Sequence, residues 1–299
     1  SFKSNNIGAF GAGIHIWGSY GTFNNVTISE NEALGFGGGM YIEIYSHPTF
    51  NNVTISKNIA PSSAGMVLMV FSNPIFNNVT ISENIATSDN WHSSIDILDG
   101  SNPIFNNVTI SGNVNGRIVL GNSSYPTFIN TIFFNNGLES IYIHSPQANG
   151  FEDDNLSMPT IIYSNIEGGW QGEPDILEEV DPGNIDADPL FVDPENGDYT
   201  LQEGSPCIDA GTADTGGYGI DDITDYFGDA PDMGAFEFEG PTVTPGDLTG
   251  DGDLNIMDVI VLVNIVLGYA DPIDSGDLNA DGNVNIMDVV ALVNIILEV

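Results

Sequence analysis

Two acidic segments near the carboxy terminus place oxygen-bearing side chains at the same spacing. The segments are Asp247–Asp258 and Asp277–Asp288. Each has an oxygen side chain at positions 1, 3, 5, 9 and 12, and each has glycine at position 6 (Gly252 and Gly282). Carboxylate and amide oxygens are the ligands that Ca²⁺ prefers, and a glycine at position 6 allows the sharp turn that gathers them. The spacing therefore predicts two sites for a divalent cation.

Both segments match the calcium loop of an EF-hand, except that position 12 holds Asp where an EF-hand holds Glu. A mostly apolar stretch follows each loop (Asp258–Leu267 and Asp288–Leu297), and the usual leading helix is missing. With these features, residues 246–299 resemble a dockerin, a calcium-folded module by which secreted proteins attach to cohesin receptors. The resemblance implies two bound Ca²⁺ ions.

The same resemblance assigns the ligands by loop position. It places the first ion on Asp247, Thr249, Asp251, Asp253, Asn255 and Asp258. It places the second ion on Asp277, Asn279, Asp281, Asn283, Asn285 and Asp288. Thr249 departs from the Asn or Asp that is usual at position 3, so we expect the first site to be the weaker one.

Loop positions 10 and 11 are apolar in both copies, and in dockerins these positions contact the cohesin. The residues concerned are Ile256, Met257, Ile286 and Met287. Apart from one Asn in each, the stretches that follow are apolar on nearly every side. Because a helix of that kind is buried on all sides, we expect a hydrophobic, permanent interface. Two partners remain open: a cohesin-like domain, or a neighbouring copy of this chain in a head-to-tail filament.

The composition limits the partners of this chain. It has 42 Asp and Glu against 3 Lys and Arg, a net charge of −39 that repels nucleic acid and anionic membranes. The single cysteine, Cys207, excludes an internal disulfide. No apolar run is long enough to insert into a bilayer. Because neither an initiator Met nor a signal peptide is present, the sequence is interpreted as a mature or trimmed secreted product, located outside the cell or on its surface.

The first half of the chain repeats one motif. Thr22–Ser29 is followed by three close copies and one weaker copy: Thr49–Ser56, Ile75–Ser82, Ile104–Ser111 and Pro126–Phe133. A period of 23–29 residues with alternating, β-branched apolar residues indicates a solenoid of short strands. Residues 1–185 are therefore predicted to form a right-handed parallel β-helix, and they resemble the β-helix repeats of secreted and surface bacterial proteins. The predicted fold is mainly β, with a small α-helical module at the carboxy terminus.

Alternation along the motif assigns its faces. The core is predicted to contain a Phe column with Val and Ile rows, namely Phe23, Phe50, Phe76, Phe105, Phe128, Val26, Val53, Val79, Val108, Ile28, Ile55, Ile81 and Ile110. The first Asn of each Asn-Asn pair is predicted to turn inward and bond between coils; these are Asn24, Asn51, Asn77 and Asn106.

The second Asn of each pair is predicted to point outward beside a threonine row. These asparagines are Asn25, Asn52, Asn78 and Asn107, and the threonines are Thr27, Thr54, Thr80 and Thr109. Each of the four Asn begins an Asn-Val-Thr sequence, which is a possible glycosylation site. The alternative is a plain polar strand face kept by the repeat.

Three later motifs occur in an order that resembles the choice-of-anchor segment, which closes many secreted β-helices. They are Asp188–Leu201, Gly204–Gly211 and Asp232–Glu237. Residues 186–240 are accordingly expected to cap the β-helix. Residues 241–246 are expected to form a proline-containing linker, and residues 247–299 to form the dockerin.

Because β-helices also carry polysaccharide lyases and hydrolases, a carbohydrate site is the alternative function. The outward face of the second strand offers His15, Trp17, Tyr41, Glu43, Asp96, Tyr142 and His144. Glu43 and Asp96 would lie two coils apart, roughly 10 Å, which is slightly long for an inverting pair. No catalytic residue is assigned. The sequence favours a non-catalytic structural or adhesive protein over a dockerin-borne carbohydrate-active enzyme or sugar-binding module.

Overall fold

The computed structural model describes residues 1–5, 10–88, 92–137, 140–143, 157–169, 183–240, 245–271 and 273–297. The chain divides into two compact units, Ser1–Phe238 and Glu239–Val299. No helix in these described ranges is long and apolar enough to cross a membrane. Residues 241–244 of the expected linker lie outside the described residues.

The first unit consists mainly of short strands. In chain order they are β1 (Phe2–Lys3), β2 (Ile14–Trp17), β3 (Thr22–Asn24), β4 (Thr27–Ser29), β5 (Met40–Glu43), β6 (Thr49–Asn51), β7 (Thr54–Ser56), β8 (Ile59–Ala60), β9 (Met66–Leu68), β10 (Ile75–Ser82), β11 (Ile85–Ala86), β12 (Ile95–Ile97), β13 (Ile104–Ser111), β14 (Ile118–Leu120), β15 (Thr127–Ile129), β16 (Ile132–Phe134), β17 (Ile141–Ile143), β18 (Thr160–Ile162), β19 (Asn165–Ile166), β20 (Phe191–Asp193) and β21 (Asp198–Leu201).

Parallel pairing between coils joins these strands into sheets. Among the described residues, the first sheet has eleven strands: seven follow the path β1-β4-β7-β10-β13-β15-β18, and β3, β6, β16 and β19 pair beside it. The second sheet has six strands in the order β17-β14-β12-β9-β5-β2. A small third sheet joins β8 to β11. Each repeat residue pairs with its equivalent, so that Phe76 faces Phe50 on one side and Phe105 on the other. The prediction of a parallel β-helix is confirmed.

The predicted core column is also confirmed. Phe50, Phe76, Phe105 and Phe128 are fully buried, and consecutive rings from Phe23 onward stack with centroids 4.7–5.0 Å apart. The Val and Ile rows line the same core, with Val26 partly buried at the amino-terminal end. Each stacked pair adds about 0.5–1.5 kcal/mol beyond the burial of its apolar area.

The Asn-Asn pair forms a corner between two strand segments of the first sheet. The second Asn of each pair takes a left-handed backbone, with φ of 54° at Asn25 and 51° at Asn107, a conformation that Asn tolerates better than most residues. Amides of the first Asn bond from coil to coil as predicted, at 2.8 Å from Asn51 Nδ2 to Asn24 Oδ1. The predicted inward direction was wrong in the early coils, where Asn24 is exposed and Asn51 and Asn77 are half-buried. Phe23 occupies the inward position, and alternation turns its neighbour outward.

A different row of asparagines fills the interior. Asn31, Asn58, Asn84, Asn113 and Asn136 are nearly or fully buried. Each of the first four donates Nδ2–H to the Oδ1 of the next, at 2.8–3.0 Å, and Asn136 Nδ2 donates to the Ile110 carbonyl. Every buried amide thus obtains its partner from the neighbouring coil, which removes the cost of burying it.

Residues 183–187 continue the pairing of the last coil, and the chain then turns back along the outside. Ile185 bonds through its backbone to Ser164 and Ile166. The following part, residues 188–238, is named here the lateral segment. It includes the antiparallel β20–β21 hairpin and packs Phe191, Tyr199 and Met233 against Ile132. Cys207 is fully buried in the same cluster, and burial raises the pKa of its thiol to about 11.

The lateral segment covers the outward face of the first sheet in its later coils. Ala235 N–H donates to Thr109 Oγ1 at 3.0 Å, and Thr212 N–H donates to Asn130 Oδ1 at 2.8 Å. The predicted outward row is therefore open in the early coils, where Asn25, Asn52 and Asn78 are exposed, while Asn107 is only 4% exposed. A glycan on Asn107 has no room in this fold.

The second unit contains helix α1 (Ile256–Val266), a 3₁₀ turn (Asp274–Gly276) and helix α2 (Ile286–Leu297). Both helices follow an acidic loop, as the sequence predicts. The buried residues Leu248, Leu262, Val289 and Leu292 form its core. Because the loops supply Leu248 and the helices supply the rest, the position of each loop is tied to helix packing.

Candidate functional site

The backbone of the two acidic loops has the same path at the glycine positions. Position 6 is left-handed in both, with φ of 84° at Gly252 and at Gly282. Position 4 is also left-handed, at 72° for Gly250 and 56° for Ala280. A left-handed φ is costly for a residue with a Cβ, and glycine occupies three of these four positions.

The turns wrap backbone N–H groups around the carboxylate at position 1. Asp247 accepts from Gly250 N–H and Gly252 N–H, both at 2.8 Å. Asp277 accepts from Asp281 N–H at 3.1 Å and Gly282 N–H at 2.7 Å. These bonds fix the first carboxylate of each loop without any cationic side chain.

The carboxylate at position 12 joins the start of each loop to the start of its helix. Asp258 accepts Leu248 N–H and Thr249 N–H at 3.0 Å on Oδ1, and Asn255 N–H at 2.9 Å on Oδ2. Asp288 makes the equivalent bonds with Leu278, Asn279 and Asn285. Both Asp residues are fully buried.

Burial raises the pKa of the Asp258 carboxyl, but the N–H groups of Asn255, Thr249 and Leu248 and the Thr249 hydroxyl outweigh it. The pKa is therefore held below its ordinary value, so Asp258 carries a buried negative charge.

Position 3 connects the two ends of the first loop. The Thr249 hydroxyl lies 3.3 Å from Asp247 Oδ1 and 3.0 Å from Asp258 Oδ1, so positions 1, 3 and 12 come together. Within the described ranges, no three His, Cys, Asp or Glu side chains are gathered around one point. The convergent oxygens of this loop come instead from two carboxylates and a hydroxyl.

The remaining predicted ligands have other contacts in this structure. Asp251 Oδ1 accepts Asp253 N–H at 2.9 Å, while Asn255 caps α1 by accepting Met257 N–H at 2.8 Å. In the second loop Asp281 and Asn285 make the same contacts, with Asn283 N–H and Met287 N–H. Asn255 and Asp258 together form a capping box, which sets the first turn of the helix.

The donor chemistry of both loops fits a hard divalent cation. All side chains at the loop positions named above offer oxygen, and residues 239–299 contain no Lys, Arg or His. Oxygen-only donor sets of this kind hold Ca²⁺. The residues that would hold it are those predicted for each loop, and the ion would supply the positive charge that this unit lacks.

An apolar surface lies beside the loops. Ile256 and Ile286 are 64% and 60% exposed, and Met257 and Met287 are 52% and 59% exposed. Two further exposed residues, Ile260 and Val290, each 49% exposed, were not among the predicted contacts. They lie four residues after Ile256 and Ile286, a spacing that places them on the same helix face.

The residues of the alternative carbohydrate site do not converge as a catalytic pair. His15 Nε2 lies 2.9 Å from Glu43 Oε1, and Asp96 accepts a hydrogen bond from the Ser63 hydroxyl. In the second sheet Asp96 is in register with Tyr41 through Val67, whereas Glu43 pairs with Trp17. The two carboxylates therefore belong to different residue rows.

The other residues of the predicted carbohydrate site have separate partners. Tyr142 lies under the Arg117 guanidinium at 4.3 Å, a cation–π contact. Burial raises the pKa of Asp96, partly offset by bonds from Ser63 and Ser93 and the charge of Arg117. His144 lies outside the described residues.

Comparison with known proteins supports the fold. A family model described as right handed beta helix region matches residues 1–88. No curated protein matches this chain, and no solved structure matches it. The match covers the amino-terminal 88 residues, and together with the parallel register of the first and second sheets it supports a right-handed β-helix repeat fold for the first unit.

Proposed function

We propose that this chain is a secreted, non-catalytic structural or adhesive protein in which a calcium-folded, dockerin-like unit attaches the β-helix to a partner. The observation that carries the proposal is the duplicated loop, in which two acidic segments share backbone path, position-1 contacts and position-12 contacts. Two copies in one register are hard to explain as solvated turns. The location is outside the cell or on its surface, where Ca²⁺ is abundant.

The partner is a cohesin-like domain or another copy of this chain in a filament. The exposed Ile and Met pairs support a hydrophobic contact, because large exposed apolar residues near one another on a helix, such as Ile256 and Ile260, are typical of interaction sites. With the net charge of −39, nucleic acid and anionic membranes remain excluded as partners in this proposal. In this proposal residues 186–240, expected as a cap, cover the side of the later coils, and the unit from residue 247 onward is the docking part.

The carbohydrate-active alternative receives less support. An inverting hydrolase needs two carboxylates facing one bond at about 6.5–9.5 Å, and Glu43 and Asp96 lie in different rows of the second sheet. The structure is consistent with a structural or carbohydrate-related β-helix protein, and nothing in this row favours cleavage.

Calcium titration of the full chain by isothermal calorimetry tests the proposal. The variant pair Asp251→Ala and Asp281→Ala removes one carboxylate from each loop, where each makes only a short local contact. We expect two ions bound by the parent chain and an affinity loss of about tenfold or more per loop in the variant. Asp271→Ala, which removes an exposed carboxylate outside both loops, is the matched control. Absence of heat on adding Ca²⁺ to the parent chain would refute the proposal.

A further inference from the structure

The chain turns at a sharp corner after each strand of the second sheet. Two consecutive residues at this corner take a left-handed backbone in four of the coils, namely Ile44–Tyr45, Val70–Phe71, Asp99–Gly100 and Asn122–Ser123. The later two coils use Asp, Gly and Asn, which tolerate this conformation, whereas β-branched Ile44 (φ 59°) and Val70 (φ 57°) are strained in it. Strain of this kind is concentrated at functional positions, so the corner of the second and third coils is a candidate site.

The strained corner holds two aromatic rings at the surface. Tyr45 and Phe71 are 56% and 50% exposed, and their rings stack with centroids 5.5 Å apart and planes 12° apart. Phe71 also lies against Gly100, where its ring leaves no room for a Cβ. The following coil therefore closes the stack at the Phe71 end, and the Tyr45 end faces the first coil.

The first coil is one residue shorter at this corner. Trp17 pairs with Glu43. Ser19 N–H donates to Ser46 Oγ, the same bond by which each later serine of this inner row meets the next. Between these two points of register, Gly18 of the first coil faces two residues of the second coil.

The space beside the Tyr45 ring is open for this reason. Gly18 has no side chain to continue the stack, and a Cβ there would have one contact beyond its chain neighbours, with the Ile44 carbonyl at 3.8 Å. Trp17 and Tyr20 lie on either side of Gly18 in the first coil and are 66% and 70% exposed. Tyr45, Trp17 and Tyr20 thus border an open step, which is named here the aromatic notch.

The charge around the aromatic notch is negative. Residues 4–56 contain no Lys or Arg. Glu43 lies 2.9 Å from His15 Nε2 of the first coil, so its carboxylate is directed toward the side on which the notch opens. Burial raises the pKa of Tyr41, and the charges of Glu43 and Asp99 raise it further, so both carboxylates act on this corner.

Ring faces and carboxylates together favour a cation. The face of an aromatic ring carries partial negative charge and attracts a cation, and the net charge of −39 attracts cations from a distance. A Lys ammonium is strongly hydrated, whereas a quaternary ammonium loses less hydration and offers methyl groups to the rings. The β-helix already contains a contact of this type, because the Arg117 guanidinium lies 4.3 Å from the centroid of the Tyr142 ring.

We propose that the aromatic notch binds a quaternary ammonium group of the choline type, with its methyl groups against Tyr45 and the flanking rings of Trp17 and Tyr20. The site goes beyond the proposed function. It does not depend on the calcium loops, because all three residues belong to the first unit. Loss of either proposal leaves the other standing.

Saturation-transfer NMR titrations of the full chain with saturating Ca²⁺ test this site. The main probe is choline, and 3,3-dimethylbutan-1-ol is its neutral isostere. N-acetyl-lysine amide and cellobiose represent a primary ammonium and a neutral saccharide as other occupants. We expect choline to bind about fivefold or more tightly than each of the other three probes, because it alone combines positive charge with weak hydration.

Variants of the same net charge separate the rings from the field of the whole chain. Tyr45→Leu removes the ring on which the ligand stacks and should weaken choline binding about fivefold or more. Tyr45→Phe keeps that ring and should leave the affinity within about twofold. Tyr125→Leu, at an exposed aromatic residue of a later coil, is the matched control and should also leave the affinity within about twofold.

Four results would overturn the inference: no choline binding, equal binding of the neutral isostere, tighter binding of the lysine amide or of cellobiose, or unchanged binding by Tyr45→Leu. The last result would mean that choline only accumulates around a negatively charged chain. Tryptophan emission checks that Tyr45→Leu is folded. If it is not, Trp17→Leu replaces it, and retention of full affinity by that variant would then count against the site.

Discussion

The interior of the first unit is polar through neutral amides, whereas the interior of the second unit is polar through carboxylates. Asn84 is fully buried and bonds to Asn58 on one side and Asn113 on the other. Asp258 and Asp288 are buried to the same degree. Their N–H donors satisfy the oxygens, but no cationic side chain in residues 239–299 balances the charge.

This difference indicates which interactions stabilise each unit. In the β-helix the buried Asn of one coil bonds to the buried Asn of the next, so these amides are paired within the protein and need no bound ion. In the carboxy-terminal unit, several carboxylates crowd two short loops and repel one another. We therefore expect the first unit to be indifferent to divalent cations and the second to require them.

Removal of Ca²⁺ should have the largest effect, and it should act on one unit alone. At a free Ca²⁺ concentration 1,000-fold above Kd, each site contributes about 4 kcal/mol. Excess EDTA should therefore abolish most of the helical circular dichroism at 222 nm, since α1 and α2 are the only α-helices among the described residues. Tryptophan emission should stay unchanged, because Trp17, Trp91 and Trp170 all belong to the first unit.

Two controls sharpen that experiment. Readdition of Ca²⁺ should restore the helical signal, whereas raised NaCl at equal ionic strength should not. A helical signal that survives EDTA at low ionic strength would show that neither unit needs metal to fold, which would contradict the proposed difference between them.

A smaller effect is expected from changing one rung of the inner Asn ladder. Asn84 Nδ2 also donates to the Ile55 carbonyl at 3.0 Å. Asn84→Leu therefore removes that bond, the acceptor of the buried Asn58 N–H, and one bond to each neighbouring side-chain amide. We expect it to lower the free energy of unfolding by about 2–4 kcal/mol. Asn51→Leu alters the outer ladder, where solvent replaces the lost partner, and should cost less than about 1 kcal/mol.

Urea unfolding followed by tryptophan emission measures both variants. The comparison fails if Asn51→Leu costs as much as Asn84→Leu, because burial would then not distinguish the two ladders. Neither variant should change Ca²⁺ affinity.

The periodic parts of the fold could be predicted from the sequence because a repeat supplies its own register. The spacing of Phe50, Phe76 and Phe105 fixed both the coil length and the stacked column. The predicted inward direction of Asn24 was wrong. Strand alternation after the inward Phe23 turns Asn24 outward, whereas the prediction relied on the need of a buried amide for partners. The inner ladder carried a usable signal that the prediction missed, a Ser-x-Asn pattern such as Ser82-Glu83-Asn84 at the end of the first four copies of the motif.

The lateral segment could not be placed from sequence. It has no repeat, so nothing in it indicates which coil it contacts, and the contact of Ala235 with Thr109 joins residues far apart in the chain. In the second unit, loop spacing located the candidate ligands, while exposure of Ile260 and Val290 depends on how the helices pack.

The lateral segment also buries two carboxyls close together. Asp232 is 1% exposed, and Glu237 Oε1 accepts its N–H at 3.1 Å. Glu237 Oε2 is buried and has no hydrogen-bond partner among the described residues. Burial, followed by the negative charge of Asp232, raises the pKa of Glu237 from an ordinary value of 4.5 to about 7.

The free energy of unfolding of the first unit should therefore depend on pH, because the Glu237 carboxyl changes its charge between the folded and unfolded states. The folded state holds the Glu237 proton more tightly than the unfolded state does. Its contribution to stability is complete below pH 4.5 and is lost as pH rises through about 7. Allowing for partial solvent screening, we expect a loss of about 1–2 kcal/mol between pH 5 and pH 8. Glu237→Gln should remove most of that slope in urea unfolding at saturating Ca²⁺, while Glu203→Gln, on an exposed turn, should keep it. An equal slope in both variants would mean that the buried carboxyls of the lateral segment do not set the pH response.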